Sequence, residues 1–356
     1  MRLAAVLRRL TAILLLLMLL AGGTLWWARR TYETPFQGYA GPEQFVVIPP
    51  GSTVTSIGRR LVEAGVVRDL WLFRVAVWRL EAERLLKAGE YRFDHPLTAE
   101  QVVGRLASGD VYLRPLSFPE GLTIDEMAMV FAEHGFGEAD AFRLAARDPR
   151  LIRPHDAEAE TLEGYLFPET YSLQRETTAA ELVAQMVQRF LVVYETHISG
   201  AAQARGLSTR HIVTLASLIE KETGAPSERP LISAVYTARL ERGMLLQADP
   251  TVIYALRQAG RFDGNLRRTD LQFDSPYNTY RYPGLPKGPI ASPGLASLEA
   301  AALPAPEAYL YFVSRNDGTH AFSRTLEEHN RNVERYQVQY FRERRHEGRS
   351  AQPPGR

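Results

Sequence analysis

The sequence predicts an α+β protein in three parts: a single N-terminal transmembrane helix, a small α+β module, and a larger mixed α/β domain. Three observations predict this. An uncharged apolar run, Leu10 to Trp27, has no later counterpart of comparable length. Beyond it, short strand-like stretches alternate with segments of helical period. At 356 residues, with 45% apolar and 23% charged residues, the chain is too long for one small core and ordinary in composition for a globular protein.

The apolar run "LTAILLLLMLLAGGTLWW" follows Arg2, Arg8 and Arg9. Its length is about the minimum for a tilted helix across a hydrocarbon layer of roughly 30 Å. Trp26 and Trp27 stand where an interfacial aromatic belt belongs, with Arg29 and Arg30 just beyond. A signal peptide is the competing reading, but two Trp and two Arg directly after "LAGG" make a poor cleavage site. A retained anchor at 10–27 is therefore expected, with 1–9 in the cytoplasm. Arg29 and Arg30 pull against that orientation, so the charge rule gives it only a lean. All later residues lie on one side of the membrane. Cysteine is absent, which excludes disulfides, thiolate catalysis and Cys-rich zinc sites. A net charge of +1 gives no basic face for nucleic acid, and no nucleic-acid partner is expected.

Residues 28–44, including "TYETPFQGYAGPEQ", read as a linker of Pro, Gly and short polar residues. The small module follows at 45–110. Phe45 to Ile48 is a strand, broken by Pro49-Pro50-Gly51, and Ser52 or Thr53 can cap a helix carrying Val54, Ile57, Leu61 and Val62 at helical spacing. "DLWLFRVAVWRLEAERLL" from Asp69 is a second helical segment. A strand around Tyr91 and Phe93 and a helix ending at Gly109 close the module.

The larger domain spans 111–343. "YLRPLSFPEGLTIDEMAMVFAEHG" repeats the order strand, Pro-x-Gly, helix, and Thr123 with Glu126 has the spacing of a capping box. A Gly/Pro-rich stretch runs from Ser275 to Gly294. Leu310–Val313 and Ala321-Phe322 flank the turn Asn316-Asp317-Gly318-Thr319 as a hairpin, and a helix follows. The tail 344–356 reads as disordered.

The chemistry centres on "ASLIEKETG", 216–224. A helix capped by Ser208 or Thr209 stays apolar to Ile219 and then carries Glu220, one turn after Ala216 and Ser217. The segment alone leaves two readings open. Glu220 and Glu222 either solubilise a last helical turn, or Glu220 is an acid held out of water. In the second case burial and the negative helix end disfavour its charged form and leave a proton to donate.

Companion segments bear on the choice. "LEGYLFPETYSL" (162–173), "LLQADPTVIYAL" (245–256), "DSPYNTYRYPGLPKGPIASPG" (274–294) and "DGTHAFSRTLEEHN" (317–330), together with "ASLIEKETG", resemble the YceG family, also written MltG, of membrane-anchored endolytic murein transglycosylases. The resemblance covers nearly the whole chain, and within 45–110 "IPPGST" and "LKAGEYRF" resemble that family's LysM-like subdomain. It implies that Glu220 is the catalytic acid/base, because it matches the first Glu of the family's "EKET". It also implies non-hydrolytic cleavage between N-acetylmuramic acid and N-acetylglucosamine, the muramoyl 6-hydroxyl closing a 1,6-anhydro ring. One carboxylate then suffices, since the nucleophile belongs to the sugar.

The partners implied are peptidoglycan glycan strands, the cytoplasmic membrane through the N-terminal helix, and peptidoglycan synthases. A rival function is a non-catalytic peptidoglycan-binding scaffold. A third possibility is a muramidase that uses water. Supporting or substrate-binding roles are expected for Glu222, Gln247, Ser275, Tyr277, Asn278 and Tyr280, and for Tyr165 and Glu169, as aromatic faces and hydrogen-bonding groups of a sugar cleft. His320 and His329 lack the ligand spacing of a metal site, so neither metal nor cofactor is expected. One departure stands out: Ser292 in "PIASPG" replaces the family's usual Asn, which puts that loop's hydrogen bonds in doubt.

Overall fold

The computed structural model describes residues 2–340 and 342, with side chains from residue 10 onward; the tail 344–356 lies outside the described residues. The chain divides into two units, Met1–Arg114 with Ser172–Glu176, and Pro115–Tyr171 with Thr177–Arg356.

In the first unit, helix α1 spans Arg2–Glu33. Its segment Leu10–Glu33 is long and apolar enough to cross a membrane. The helix overruns the span read from sequence, so residues 28–33, assigned to a linker, are helical. No Gly or Pro interrupts them, the Thr31 hydroxyl donates to the Trp27 carbonyl (2.8 Å), and Arg29 pairs with Glu33 one turn on (3.0 Å). The rest of that stretch is also held. Tyr32 is buried in the module's core, and Phe36 and Leu97 exchange backbone hydrogen bonds of 2.9 and 3.3 Å.

Strand β1 (Gln44–Ile48) pairs antiparallel with β2 (Gly89–Phe93), Val46 opposite Tyr91. Between them lie α2 (Val54–Glu63), capped by the Thr53 side chain, and α3 (Leu70–Arg79). Helix α4 (Ala99–Ser108) follows with a reciprocal Thr98–Gln101 cap. Helix α3 is shorter than the run 69–86 suggested. Glu81 takes a left-handed φ of 51°, and the Ala82 N–H turns back to the Val77 carbonyl (2.9 Å), which buries Ala82 instead of extending the helix. Ile48, Leu61, Phe73, Tyr91, Phe93 and Leu106 are essentially inaccessible to water. Each such burial contributes about 1.5–3 kcal/mol, which a module of this size needs.

The second unit is mostly helical. Strand β3 (Arg114–Ser117) leads to α5 (Ile124–Glu133), whose predicted Thr123–Glu126 capping box is present, and then to α6 (Ala139–Ala146). After β4 (Thr170–Leu173) come α7 (Ala179–Val193), α8 (Ser199–Ala204), α9 (Thr209–Glu222), α10 (Arg229–Glu241), α11 (Asp249–Gln258) and α12 (Leu295–Ala302). The hairpin β5 (Tyr311–Ser314) and β6 (His320–Ser323) precedes α13 (Leu326–Val333). The named strands form only two-stranded sheets, β1 with β2, β3 with β4 and β5 with β6, so the class is α+β. Helix α9 is the centre. Every residue from Ile212 to Ile219 is buried, and α10, α11 and α12 pack around it. That burial carries the site, because it fixes where the end of α9 points.

Candidate active site

Glu220 continues the buried face of α9 into its last turn, two residues before the helix ends, and its side chain keeps 6% of its surface exposed. From the segment alone it is either a solvated acid or a dry carboxylate at an unfavourable helix end; the packing supplies what the sequence could not. Its Oε1 accepts from Arg229 Nη2 (3.2 Å), and its Oε2 accepts the Gly294 N–H (3.0 Å). Gly294 is the N-cap of α12, so the carboxylate meets the positive end of a second helix. Arg229 opens α10, is itself buried, and is fixed by donating Nε to Ser297 Oγ (3.0 Å). The turn from Glu220 to Arg229 is braced as well. Glu228 accepts from Thr223 Oγ1 (3.3 Å) and from the His320 backbone N–H (2.8 Å), and its Oε2 lies 2.7 Å from His320 Nδ1.

A second carboxylate shares this arginine. Glu120 Oε2 lies 3.8 Å from Arg229 Nη2, and its carboxyl covers the α-carbon of Gly294, where a Cβ would fall 1.8 Å from Oε1. Glu120 is about half exposed, so it forms the solvent side of the group while Glu220 forms the inner side. Burial and, next, the neighbouring Glu220 charge raise its pKa above the usual carboxylate value, with Arg229 opposing. Sequence reasoning missed Glu120. The available signal was the repeated Pro-x-Gly turn, in which Glu120 stands where the first copy has Pro50. Gly121 supplies the left-handed φ of 76° that the turn requires, and Lys221 Nζ donates to its carbonyl (3.1 Å).

The Ser292 departure leaves the loop's hydrogen bonds intact, because the backbone makes them. Gly121 N–H donates to the Ser292 carbonyl and Ser292 N–H to the Leu122 carbonyl, both at 2.8 Å. The buried Ser292 hydroxyl has no partner among the described residues. Ser292→Ala should therefore leave thermal unfolding unchanged or raise stability by up to about 1 kcal/mol. A loss of more than that would mean the hydroxyl has a partner.

The other predicted residues do not form one cluster. Glu222 turns away from Glu220 and accepts from the Tyr236 hydroxyl (2.7 Å), tying α9 to α10; burial pushes its pKa up to about 7. Tyr165, Ser275 and Tyr277 line a cavity of about 350 Å³ together with Glu163, Arg210 and Lys287. Glu220 does not line it. Gly288 and Pro289, however, do, and they begin the loop that ends at Gly294.

Tyr165 offers no stacking face. Its ring is buried edge-on against Phe190, and its hydroxyl donates to Asp156 (2.5 Å). Asn278 is buried with its amide turned inward, donating to the Leu271 and Phe273 carbonyls and accepting the Tyr280 N–H, so it shapes the loop and is not free for sugar. Tyr280 donates its hydroxyl to Asp249 (2.5 Å). Gln247 is exposed in a left-handed conformation, φ 52°, its N–H bonded to the Thr279 carbonyl (3.1 Å). Glu169 is taken by a two-pronged pair with Arg189 at 2.8 and 2.9 Å. His329 stacks on Tyr311 with ring centres 5.1 Å apart, and burial lowers its pKa.

Glu163, within "LEGYLFPETYSL", also escaped sequence reasoning. It is buried, accepts the first N–H of α5 from Ile124 (3.1 Å) and the Tyr254 hydroxyl (3.2 Å), and burial pushes its pKa up to about 8. An unfolded Glu loses its proton near 4.5, so between there and about 8 the folded protein binds more protons than the unfolded one. Stability thus falls as pH rises through this window. Glu163→Gln should remove a pH-dependent contribution on the order of 3 kcal/mol between about pH 5 and pH 8. Parallel melting curves for variant and parent across that range would refute this.

Residues 46–335 match the model of the YceG-like family. The chain is 32% identical over 305 residues to the endolytic murein transglycosylase of Bacillus subtilis (strain 168), covering 81% of this chain and 83% of that protein. It is 32% identical over 323 residues to the endolytic murein transglycosylase of Streptococcus pneumoniae (strain ATCC BAA-255 / R6), covering 81% of this chain and 57% of the pneumococcal one. Among solved structures, a yceG-like protein from Listeria monocytogenes is similar with a TM-score of 0.57 and 31% identity, over 82% of this chain and 99% of that one.

Proposed function

From a chain that belongs to the YceG-like family, we propose an endolytic peptidoglycan transglycosylase, anchored in the cytoplasmic membrane by α1 and acting on its extracytoplasmic face. The module around β1 and β2 is its LysM-like subdomain, and peptidoglycan synthases are the partners such an enzyme would meet while ending nascent strands. The observation that carries the reading is Glu220 itself: a carboxylate almost out of water, each oxygen held by a donor from a different helix.

The chemistry follows from that geometry. Glu220 gives a proton to the glycosidic oxygen as its bond to the muramoyl anomeric carbon breaks. The muramoyl 6-hydroxyl then adds to that carbon, and its proton returns to Glu220, so atoms balance without water. Arg229 and the Gly294 N–H keep the carboxylate oriented and stabilise it while it is charged, and a preset site needs no rearrangement during the reaction. Glu120, on the solvent side, is the group through which a proton reaches or leaves the pair. Its position beside the same arginine supports that role.

The test is the sugar terminus released from purified glycan strands by the full chain in detergent, read by mass spectrometry. A 1,6-anhydro terminus supports the reading. A terminus one water heavier replaces it with hydrolysis, and binding without cleavage replaces it with a scaffold.

A further inference from the structure

Helix α3 has a face that its own module leaves uncovered. Trp71, Val75 and Trp78 recur at i, i+4 and i+7, forming one stripe with Arg74 on one side and Arg79 on the other. Their exposures are 44%, 38% and 79%, whereas Leu72, Phe73, Ala76 and Val77 on the opposite side are buried in the core. Two tryptophans left in the open on a ten-residue helix need a partner surface.

The fold indicates which one. Trp71, Val75 and Arg79 share a groove with Leu25, Ala28 and Tyr32 of α1. The Arg79 guanidinium stands 5.4 Å from the centre of the Tyr32 ring, and Tyr32 is itself part of the module's core. Leu25 belongs to the apolar span, so one wall of this groove is the last turns of the segment that crosses the membrane. Any surface that wraps the end of that span also meets Trp71. At about 1.5 Å per residue the stripe from Trp71 to Trp78 is about 10 Å long, enough to span the roughly 5–7 Å headgroup region of one leaflet. Trp is the side chain that settles at that depth, and flanking Arg can reach lipid phosphates while their stems stay in apolar surroundings.

We propose that the bilayer interface covers α3: Trp71, Val75 and Trp78 enter the headgroup boundary of the leaflet from which α1 emerges, with Arg74 and Arg79 at its phosphates. The module is thereby a second, peripheral membrane contact. This rests on the reading of α1 as an anchor.

The chain has four tryptophans, so Trp26→Phe/Trp27→Phe leaves Trp71 and Trp78 as the only indole emitters. The full-length variant is reconstituted in vesicles of phosphatidylcholine and phosphatidylglycerol, with and without bromine on the acyl chains near the headgroup. The expected result is blue-shifted emission that loses about half its intensity in brominated vesicles. Protein that floats with the vesicles but is not quenched would overturn the proposal while leaving the anchor standing. Blue-shifted, unquenched emission would assign the stripe to a second copy of the chain, which also overturns it. Protein that fails to float removes the anchor, and this inference with it.

Discussion

Glu220→Gln is expected to lower glycan cleavage by on the order of 10²–10⁴-fold, because the amide can neither give nor take the proton that the leaving oxygen and the 6-hydroxyl require. The change is nearly isosteric, and one acceptor remains for the Gly294 N–H or Arg229, so unfolding should shift by no more than about 2 kcal/mol. Turnover measured by release of sugar termini, beside a melting curve, separates the two effects. A folded variant that keeps full activity would remove Glu220 from the chemistry, and Glu120 would become the group to test.

The second large effect concerns Arg229. Arg229→Met leaves the almost buried Glu220 carboxylate facing Glu120 with no cation between them. Breaking a buried pair from one side is expected to cost about 3 kcal/mol, most of it the penalty of the charge left behind. Adding Glu220→Gln to Arg229→Met removes that charge, so the double variant should recover most of the loss even though it contains both substitutions. The bond to Ser297 and the longer pairing with Glu120 stay lost. If the two single effects simply add, the pair is not coupled and the electrostatic account of the site is wrong.

The fold was legible wherever a local rule decides it. Ser208 caps α9 and Thr123 with Glu126 caps α5 because each needs only a side chain and an N–H three residues away. The β5–β6 hairpin follows from its turn residues. In the site, the position of Glu220 on the buried face of α9 could be read from helical period. Its two donors could not. The C-terminal end of α9 predicts an unwelcome anion, and only packing brings the N-termini of α10 and α12 to offset it. Asn278 and Tyr165 show the complementary case: polar atoms in a loop motif look available to a ligand until the fold turns them toward carbonyls or an aspartate, which leaves these two the supporting part of their expected role. The helical start of the linker stretch was not legible because nothing local reveals that Tyr32 has a core to enter or that Phe36 bridges to Leu97.

Glu120, Glu220, Arg229 and Gly294 come from four stretches, the first and last separated by 174 positions. An unfolded polypeptide has none of that assembly, since the four groups meet only through the packing of α9, α10 and α12. The cleavage proposed for this site is thus withheld until folding has brought the four together.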